Sequence, residues 1–189
     1  MTGVMLHLLR HGALEVPGRM IGRSDVPSSA AGIAACVARA QGLPVDRIVT
    51  SDLCRAQAAG AAIAQASGKG VTVDPRWREL DFGAWDGLAP AEIDGEALGR
   101  FWADPDGHVP PGGECWSALV ARVGMACDAL PDGATLVVTH GGAMRAALAA
   151  LCGFDHRQAF AFDLPYAALL SLRLWRGDTL TAQIVGLRA

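Results

Sequence analysis

Short apolar runs alternate with alanine-rich stretches along most of this 189-residue chain, and this alternation restricts the possible folds more than any other feature. Four of the runs have the length and composition of buried strands: residues 4–12, 45–50, 71–74 and 135–139. The stretches between most of them have helical composition and end at glycine or proline. Strands that alternate with helices favour a parallel sheet with helices on both faces.

The end of the chain follows a different pattern. Residues 167–175 and 179–187 are largely apolar or alternating, and they flank the turn sequence at 176–178, which predicts an antiparallel hairpin. We therefore expect an α/β fold, a three-layer α/β/α sandwich with a mainly parallel central sheet and an antiparallel edge strand. No internal repeat or linker divides the chain, so residues 1–189 are predicted to form one domain. The hairpin edge is a surface through which two copies could pair as a homodimer.

Composition limits the possible partners. Hydrophobic residues make up 51% of the chain and charged residues 19%, which is typical of a globular protein. The net charge of -3 argues against a nucleic-acid-binding surface, so any anion site must be local. No uncharged apolar stretch reaches the length of a membrane span, which argues against a membrane partner. The five cysteines are scattered, with no pair at metal or redox spacing, and this pattern indicates a reduced, cytoplasmic setting.

Polar side chains suited to anion chemistry follow the predicted strands. Arg10 and His11 end the first strand, Arg55 follows the second, Glu79 follows the third, and His140 ends the fourth. Because the carboxyl ends of parallel strands share one edge of a sheet, these side chains are expected to converge. Guanidinium groups match phosphate oxygens, and a histidine nitrogen can act as a nucleophile. The sequence therefore predicts a site for a small phosphorylated substrate.

Four motifs, taken together, resemble the histidine phosphatase superfamily, the phosphoglycerate mutase-like enzymes. They are Leu9-Arg10-His11-Gly12, Ser51-Asp52-Leu53-Cys54-Arg55-Ala56, Glu79-Leu80-Asp81-Phe82-Gly83-Ala84-Trp85-Asp86-Gly87 and Val138-Thr139-His140-Gly141-Gly142. They occur in the family's order and cover most of the chain to about residue 150.

The resemblance implies roles for individual residues. His11 would attack phosphorus and become phosphohistidine, which requires a neutral ring whose other nitrogen is held by a backbone carbonyl. Arg10, Arg55 and His140 would hold the phosphoryl oxygens, with Gly141 beside them. Glu79 would protonate the leaving oxygen and then help activate water, although Asp81 or Asp86 could take that role. Since the side chains supply positive charge, no metal or cofactor is required.

The resemblance implies a metal-independent phosphomonoesterase and leaves its substrate open. The runs at residues 18–27 and 101–114 resemble the alpha-ribazole phosphatase branch, which removes a 5'-phosphate during cobalamin assembly. A phosphoglycerate mutase-type phosphotransferase and a non-catalytic phosphate-binding module are the alternatives. Of the other histidines, His7 is expected to be structural, and His108 and His156 are expected to lie in solvated loops.

Overall fold

Six strands and six helices make up the part of the chain that the structure, a computed structural model, describes, residues 4–189. In chain order they are β1 (Val4–Arg10), α1 (Ala30–Ala40), β2 (Arg47–Thr50), α2 (Cys54–Ser67), β3 (Val71–Val73), α3 (Gly95–Ala103), α4 (Trp116–Asp128), β4 (Ala134–Thr139), α5 (Gly141–Cys152), α6 (His156–Phe160), β5 (Leu169–Arg176) and β6 (Leu180–Arg188). Single 3₁₀ turns between β3 and α3 lie at Pro75–Trp77, Gly83–Trp85 and Pro90–Glu92.

The six strands form one sheet in the order β3-β2-β4-β1-β5-β6. The first four of these run parallel to one another, while β5 pairs antiparallel with β1 and β6 pairs antiparallel with β5. This confirms the predicted mainly parallel sheet with an antiparallel edge and the predicted hairpin. The prediction of one domain over residues 1–189 includes residues 1–3, which lie outside the described residues, and it stays a prediction.

Helices cover both faces of the sheet. Successive side chains of the central strands point to opposite sides, so apolar residues of one strand enter two separate cores. On β1, Leu8 packs in one core with Leu119 of α4 and Leu148 of α5. The next residue, Leu9, packs in a second core with Ile63 of α2. The three layers are therefore those that the sequence predicts.

Helix ends follow local capping chemistry. The Ser29 hydroxyl accepts a hydrogen bond from the backbone N–H of Gly32 at 3.1 Å, which fixes the start of α1. The prediction of a loop at His156 is wrong, because that residue begins α6. The side chains of Asp155 and Gln158 each accept a hydrogen bond from the backbone N–H of the other residue, a capping box that the sequence shows as Asp-x-x-Gln.

Across residues 4–189, no helix combines the length and the apolar character that crossing a membrane requires.

Candidate active site

Three neighbouring strands, β2, β4 and β1, end side by side at one edge of the sheet. Ser51, His140 and His11 directly follow these strands. The hydrogen-bond ladder continues past the strand ends, since the N–H of His11 donates to the Thr139 carbonyl at 2.8 Å and that of Ser51 donates to the Val138 carbonyl at 3.1 Å. The ring centroids of His11 and His140 lie 5.1 Å apart. The sheet therefore brings the two predicted histidines together.

His11 is held as a neutral imidazole. Its Nδ1 lies 2.8 Å from the carbonyl oxygen of Gly12, and because a carbonyl can only accept, Nδ1 carries the proton and Nε2 keeps a free electron pair. Burial is the main cause that lowers the pKa of His11 to about 3, and the positive charges of Arg55 and Arg10 contribute to the lowering. Gly12 is required here, since a Cβ atom would lie 2.1 Å from the carbonyl oxygen of Gly32. The predicted carbonyl partner of His11 is confirmed.

Arg10 lies beside His11 against an aromatic ring. Its Nη1 donates to the carbonyl of Leu164 at 2.6 Å, and its guanidinium carbon lies 4.3 Å from the ring centre of Tyr166. The Tyr166 ring centre is also 5.5 Å from that of His11. The Nε–H of Arg10 is buried without a hydrogen-bond partner among residues 4–189. This donor is therefore available to a ligand.

His140 and Arg55 lie behind His11, and both are fully buried. Nε of Arg55 donates to Nδ1 of His140 at 3.2 Å, which places the His140 proton on Nε2, 2.9 Å from the Ser51 hydroxyl. Burial, reinforced by the neighbouring His11 ring and by the charge of Arg55, holds the pKa of His140 well below its usual value. His140 is therefore neutral, and both of its nitrogens are engaged.

The other donors of Arg55 hold a loop of the chain. Its Nη1 donates to the carbonyl of Ser24 at 2.8 Å and its Nη2 to that of Gly22 at 2.6 Å. As they lie here, neither Arg55 nor His140 borders the cleft, so their contacts with phosphoryl oxygens stay predictions. In the observed structure, Arg55 and His140 support the surrounding backbone from behind His11. The sequence does not indicate this supporting role.

Glu79 lies at the start of α5. Its Oε2 accepts the backbone N–H of Gly142 at 3.1 Å, and its Oε1 accepts that of Leu80 at 2.9 Å. A Cβ atom at Gly142 would lie 2.1 Å from Oε1 of Glu79, so the second glycine of the motif makes room for this carboxylate. Glu79, which follows the third strand in the sequence, is therefore brought to the same edge of the sheet as His11.

The two alternative acids are engaged elsewhere. The Asp86 carboxylate accepts three backbone N–H groups, those of Gly22, Arg23 and Ser24. Oδ1 of Asp81 accepts the N–H of Gly83 at 2.9 Å. Neither aspartate borders the cleft over His11, whereas Glu79 does. The geometry therefore favours Glu79 as the proton donor.

The cleft over His11 has a volume of about 200 Å³. Its polar walls are Arg10, His11, Arg19, Glu79 and Tyr166, and its apolar walls are Leu14, Met20, Ile21, Phe82 and Trp102. Gly141 borders an adjoining cavity, and a Cβ atom there would lie 3.5 Å from Nε of Arg10. Of the predicted residues, Arg10, His11 and Glu79 thus share one cleft, with Gly141 next to it.

A family model matches residues 6–185, and its description is histidine phosphatase superfamily, branch 1. The chain belongs to the histidine phosphatase superfamily. A glucosyl-3-phosphoglycerate phosphatase of Mycolicibacterium vanbaalenii is 34% identical over 172 residues, with 78% of this chain and 74% of the relative covered. A protein of Proteus mirabilis named "Probable phosphoglycerate mutase GpmB" is 36% identical over 163 residues, with 79% and 75% covered.

The solved structures show the same fold for this histidine phosphatase. The native structure of mycobacterial glucosyl-3-phosphoglycerate phosphatase superposes with a TM-score of 0.86 at 28% identity, covering 97% of each chain. The alpha-ribazole phosphatase of Shigella flexneri superposes with a TM-score of 0.81 at 22% identity, covering 96% of this chain and 95% of the other, a likeness of fold alone. The named phosphatases support a phosphoric monoester hydrolase.

Arg122 of this histidine phosphatase fixes the backbone that carries Glu79. Its Nη1 donates to the carbonyls of Arg76 and Arg78, and its Nη2 donates to that of Glu79, each at 2.8 Å. Nε and Nη2 also form a bidentate pair with the Glu114 carboxylate at 2.7 and 2.8 Å. All five N–H donors of the guanidinium are therefore used. Arg122 is a positioning residue for Glu79, and the sequence gives no direct signal of it.

Arg122→Lys is expected to lower the free energy of unfolding by about 1–3 kcal/mol, because one ammonium cannot replace a bidentate fork. It should also lower kcat/KM for an alkyl phosphate by roughly 10-fold or more through misplacement of Glu79. Thermal unfolding and initial rates check both effects. Arg100→Lys is the matched control, since Arg100 pairs with Glu96 on an exposed helix surface. Lower stability with unchanged kcat/KM would show that Arg122 is only structural.

Proposed function

We propose that this chain hydrolyses phosphate monoesters through a covalent phosphohistidine on His11. The observation that carries the proposal is the hydrogen bond from Nδ1 of His11 to the Gly12 carbonyl, which leaves Nε2 unprotonated on a ring that borders the cleft. A nucleophile must present a free electron pair, and this bond fixes the tautomer that does so.

The first step transfers the phosphoryl group to the enzyme. Nε2 of His11 forms a bond to phosphorus as the bond from phosphorus to the leaving oxygen breaks. Glu79, in its acid form, gives its proton to that oxygen, so that the leaving group departs as a neutral alcohol. Arg10 offsets charge on the transferring group through its free Nε–H.

The second step releases the phosphate. The Glu79 carboxylate takes a proton from a water molecule, whose oxygen bonds to phosphorus while the bond between phosphorus and Nε2 breaks. Inorganic phosphate leaves, and both His11 and Glu79 return to their starting protonation states. One carboxylate thus serves first as acid and then as base, and its position at the wall of the cleft suits both roles.

For the substrate, we propose a small phosphorylated metabolite of the phosphoglycerate type. Support comes from the glucosyl-3-phosphoglycerate phosphatase and GpmB relatives at 34% and 36% identity. Alpha-ribazole 5'-phosphate, and with it a role in cobalamin assembly, stays a prediction, since the matching structure supports only the fold. The cytoplasmic location, the homodimer and the lack of nucleic-acid and membrane partners also stay predictions.

A mutase-type phosphotransferase is the second candidate function, because one relative carries a mutase name. A mutase would convert 3-phosphoglycerate into 2-phosphoglycerate, whereas a phosphatase releases inorganic phosphate from it. Measuring both products with the purified chain separates the two activities. A non-catalytic module would give neither product, although His11 and Glu79 are both in place in the cleft.

We expect the purified chain to hydrolyse para-nitrophenyl phosphate at its full rate in excess EDTA. The physical reason is that guanidinium groups supply the positive charge that a metal ion would otherwise provide. The measurement is the initial rate of para-nitrophenol release with and without the chelator. A rate that EDTA abolishes and a divalent cation restores would contradict a metal-independent mechanism.

A further inference from the structure

A second cavity lies directly beside the cleft over His11. Its volume is about 120 Å³, the space of a few water molecules, and it shares Arg10, Glu79, Phe82 and Trp102 with the cleft. Its remaining walls include Trp116, Leu119, Arg145 and Phe160. Glu79 lines both spaces. The carbon skeleton attached to the oxygen that Glu79 protonates can therefore extend into the second cavity. We call this second space the leaving-group cavity.

Two arginines, Arg10 and Arg145, line the leaving-group cavity within the described residues, and the proposed chemistry uses Arg10 and leaves Arg145 without a role. Arg145 lies one helical turn after Gly141, so both residues are on the same side of α5. Its Nη2 donates to the carbonyl of Phe162 at 3.0 Å, and its guanidinium carbon lies 5.1 Å from the ring centre of Phe160. Its Nε–H is buried, and no group in the described part of the chain accepts a hydrogen bond from it. A buried donor of this kind is costly unless a ligand accepts from it.

Positive charge is concentrated around the start of α5. A Cβ atom at Gly141 would lie 3.2 Å from Nη1 of Arg145 and 3.5 Å from Nε of Arg10, so the two guanidinium groups flank the same point. Burial lowers the pKa of Arg145, while the nearby carboxylate of Glu79 opposes that shift. When Glu79 is protonated for the first chemical step, its negative charge no longer offsets the positive charge of Arg145. An anionic group of the substrate would take over that role.

We propose that Arg145 binds a carboxylate on the leaving group of the substrate, inside the leaving-group cavity. This proposal rests on the phosphatase function proposed above and adds the residue that recognises the leaving group. A planar guanidinium matches a planar carboxylate through paired N–H donors. The small volume and the aromatic walls fit a short carbon skeleton with one terminal charge. Arg145 is thus a specificity-determining residue, distinct from the groups that act on phosphorus.

The test compares two substrates that differ at the carboxylate. In 3-phosphoglycerate the carbon chain ends in a carboxylate, and in glycerol 3-phosphate the same position is an uncharged hydroxymethyl group. We expect the wild-type chain to prefer 3-phosphoglycerate in kcat/KM. Arg145→Gln should lower kcat/KM for 3-phosphoglycerate by on the order of 10- to 100-fold, with little change for glycerol 3-phosphate, as loss of a charged hydrogen bond predicts.

Two further variants complete the test. Arg157→Gln removes an exposed arginine from the neighbouring helix α6 and should leave the preference unchanged. Arg145→Lys keeps the charge but loses the fork, so it should reduce the preference less than Arg145→Gln does, and it serves if Arg145→Gln does not fold. Equal loss for both substrates, or no loss for either, would overturn the proposal. Failure of the phosphatase function is a different result, since the wild-type chain would then not hydrolyse para-nitrophenyl phosphate either.

Discussion

His11→Ala is expected to reduce the turnover of every phosphate monoester by roughly 10⁴-fold or more, because the variant loses the imidazole that lines the cleft and with it the proposed nucleophile. His140 cannot substitute for it, since His140 is fully buried and both of its ring nitrogens are engaged by Arg55 and Ser51. The measurement is the initial rate with para-nitrophenyl phosphate, followed over hours to resolve a low residual rate.

The control for this loss is His108→Ala, which removes an exposed histidine far along the chain and should keep the wild-type rate. Thermal unfolding of both variants separates lost chemistry from lost structure. A His11→Ala variant that folds and retains a substantial fraction of the rate would mean that another group attacks phosphorus.

Glu79→Gln should separate the two chemical steps. An amide cannot protonate a leaving oxygen, so kcat/KM for an alkyl phosphate should fall by about 10²- to 10⁴-fold. The para-nitrophenolate group leaves without a proton, so kcat/KM for para-nitrophenyl phosphate should change much less. The second step still needs a base for water, so this substrate should give a burst of para-nitrophenol followed by slow turnover.

Asp81→Asn is the matched control for Glu79→Gln, since it makes the same change of carboxylate to amide two residues away. Asp81 does not border the cleft, so this variant should show neither the burst nor the dependence on the leaving group. If Asp81→Asn gave the burst and Glu79→Gln did not, the acid would be Asp81, and the position of Glu79 would have another explanation.

Strand ends could be predicted from the sequence because their signals are local. Apolar runs that stop at Arg10-His11, Ser51 and His140 identify the strands and the side chains that follow them, and parallel pairing then brings these residues to one edge. The carbonyl partner of His11 could likewise be predicted, because a nucleophilic imidazole requires one tautomer and the adjacent backbone can fix it.

Residues that depend on packing between distant segments could not be predicted. Tyr166 meets Arg10 only because the segment before β5 returns to the end of β1, 156 residues later in the chain. Arg145 looks like a charge that interrupts an apolar helix until α5 is placed beside Phe160. Three of the five donors of Arg122 bind backbone carbonyls, which carry no side-chain signature in a sequence.

The buried positions of Arg55 and His140 have a similar origin. The carbonyls of Gly22 and Ser24 accept hydrogen bonds from the Nη donors of Arg55, and backbone carbonyls have no side-chain signature in a sequence. The sequence therefore predicts that an arginine and a histidine come to this edge of the sheet, but it does not predict which of their nitrogens are already engaged.

Trapping the enzyme-bound phosphoryl group on His11 tests the mechanism most directly. Glu79→Gln, mixed with radiolabelled para-nitrophenyl phosphate and quenched within the burst, should carry about one phosphoryl group per chain that is labile to acid and stable to alkali, as a phosphoramidate is. Peptide mapping should place it on His11, and the double variant His11→Ala/Glu79→Gln should carry none. An acid-stable label, a label retained without His11, or para-nitrophenol release with no bound phosphoryl group and no burst would contradict the account.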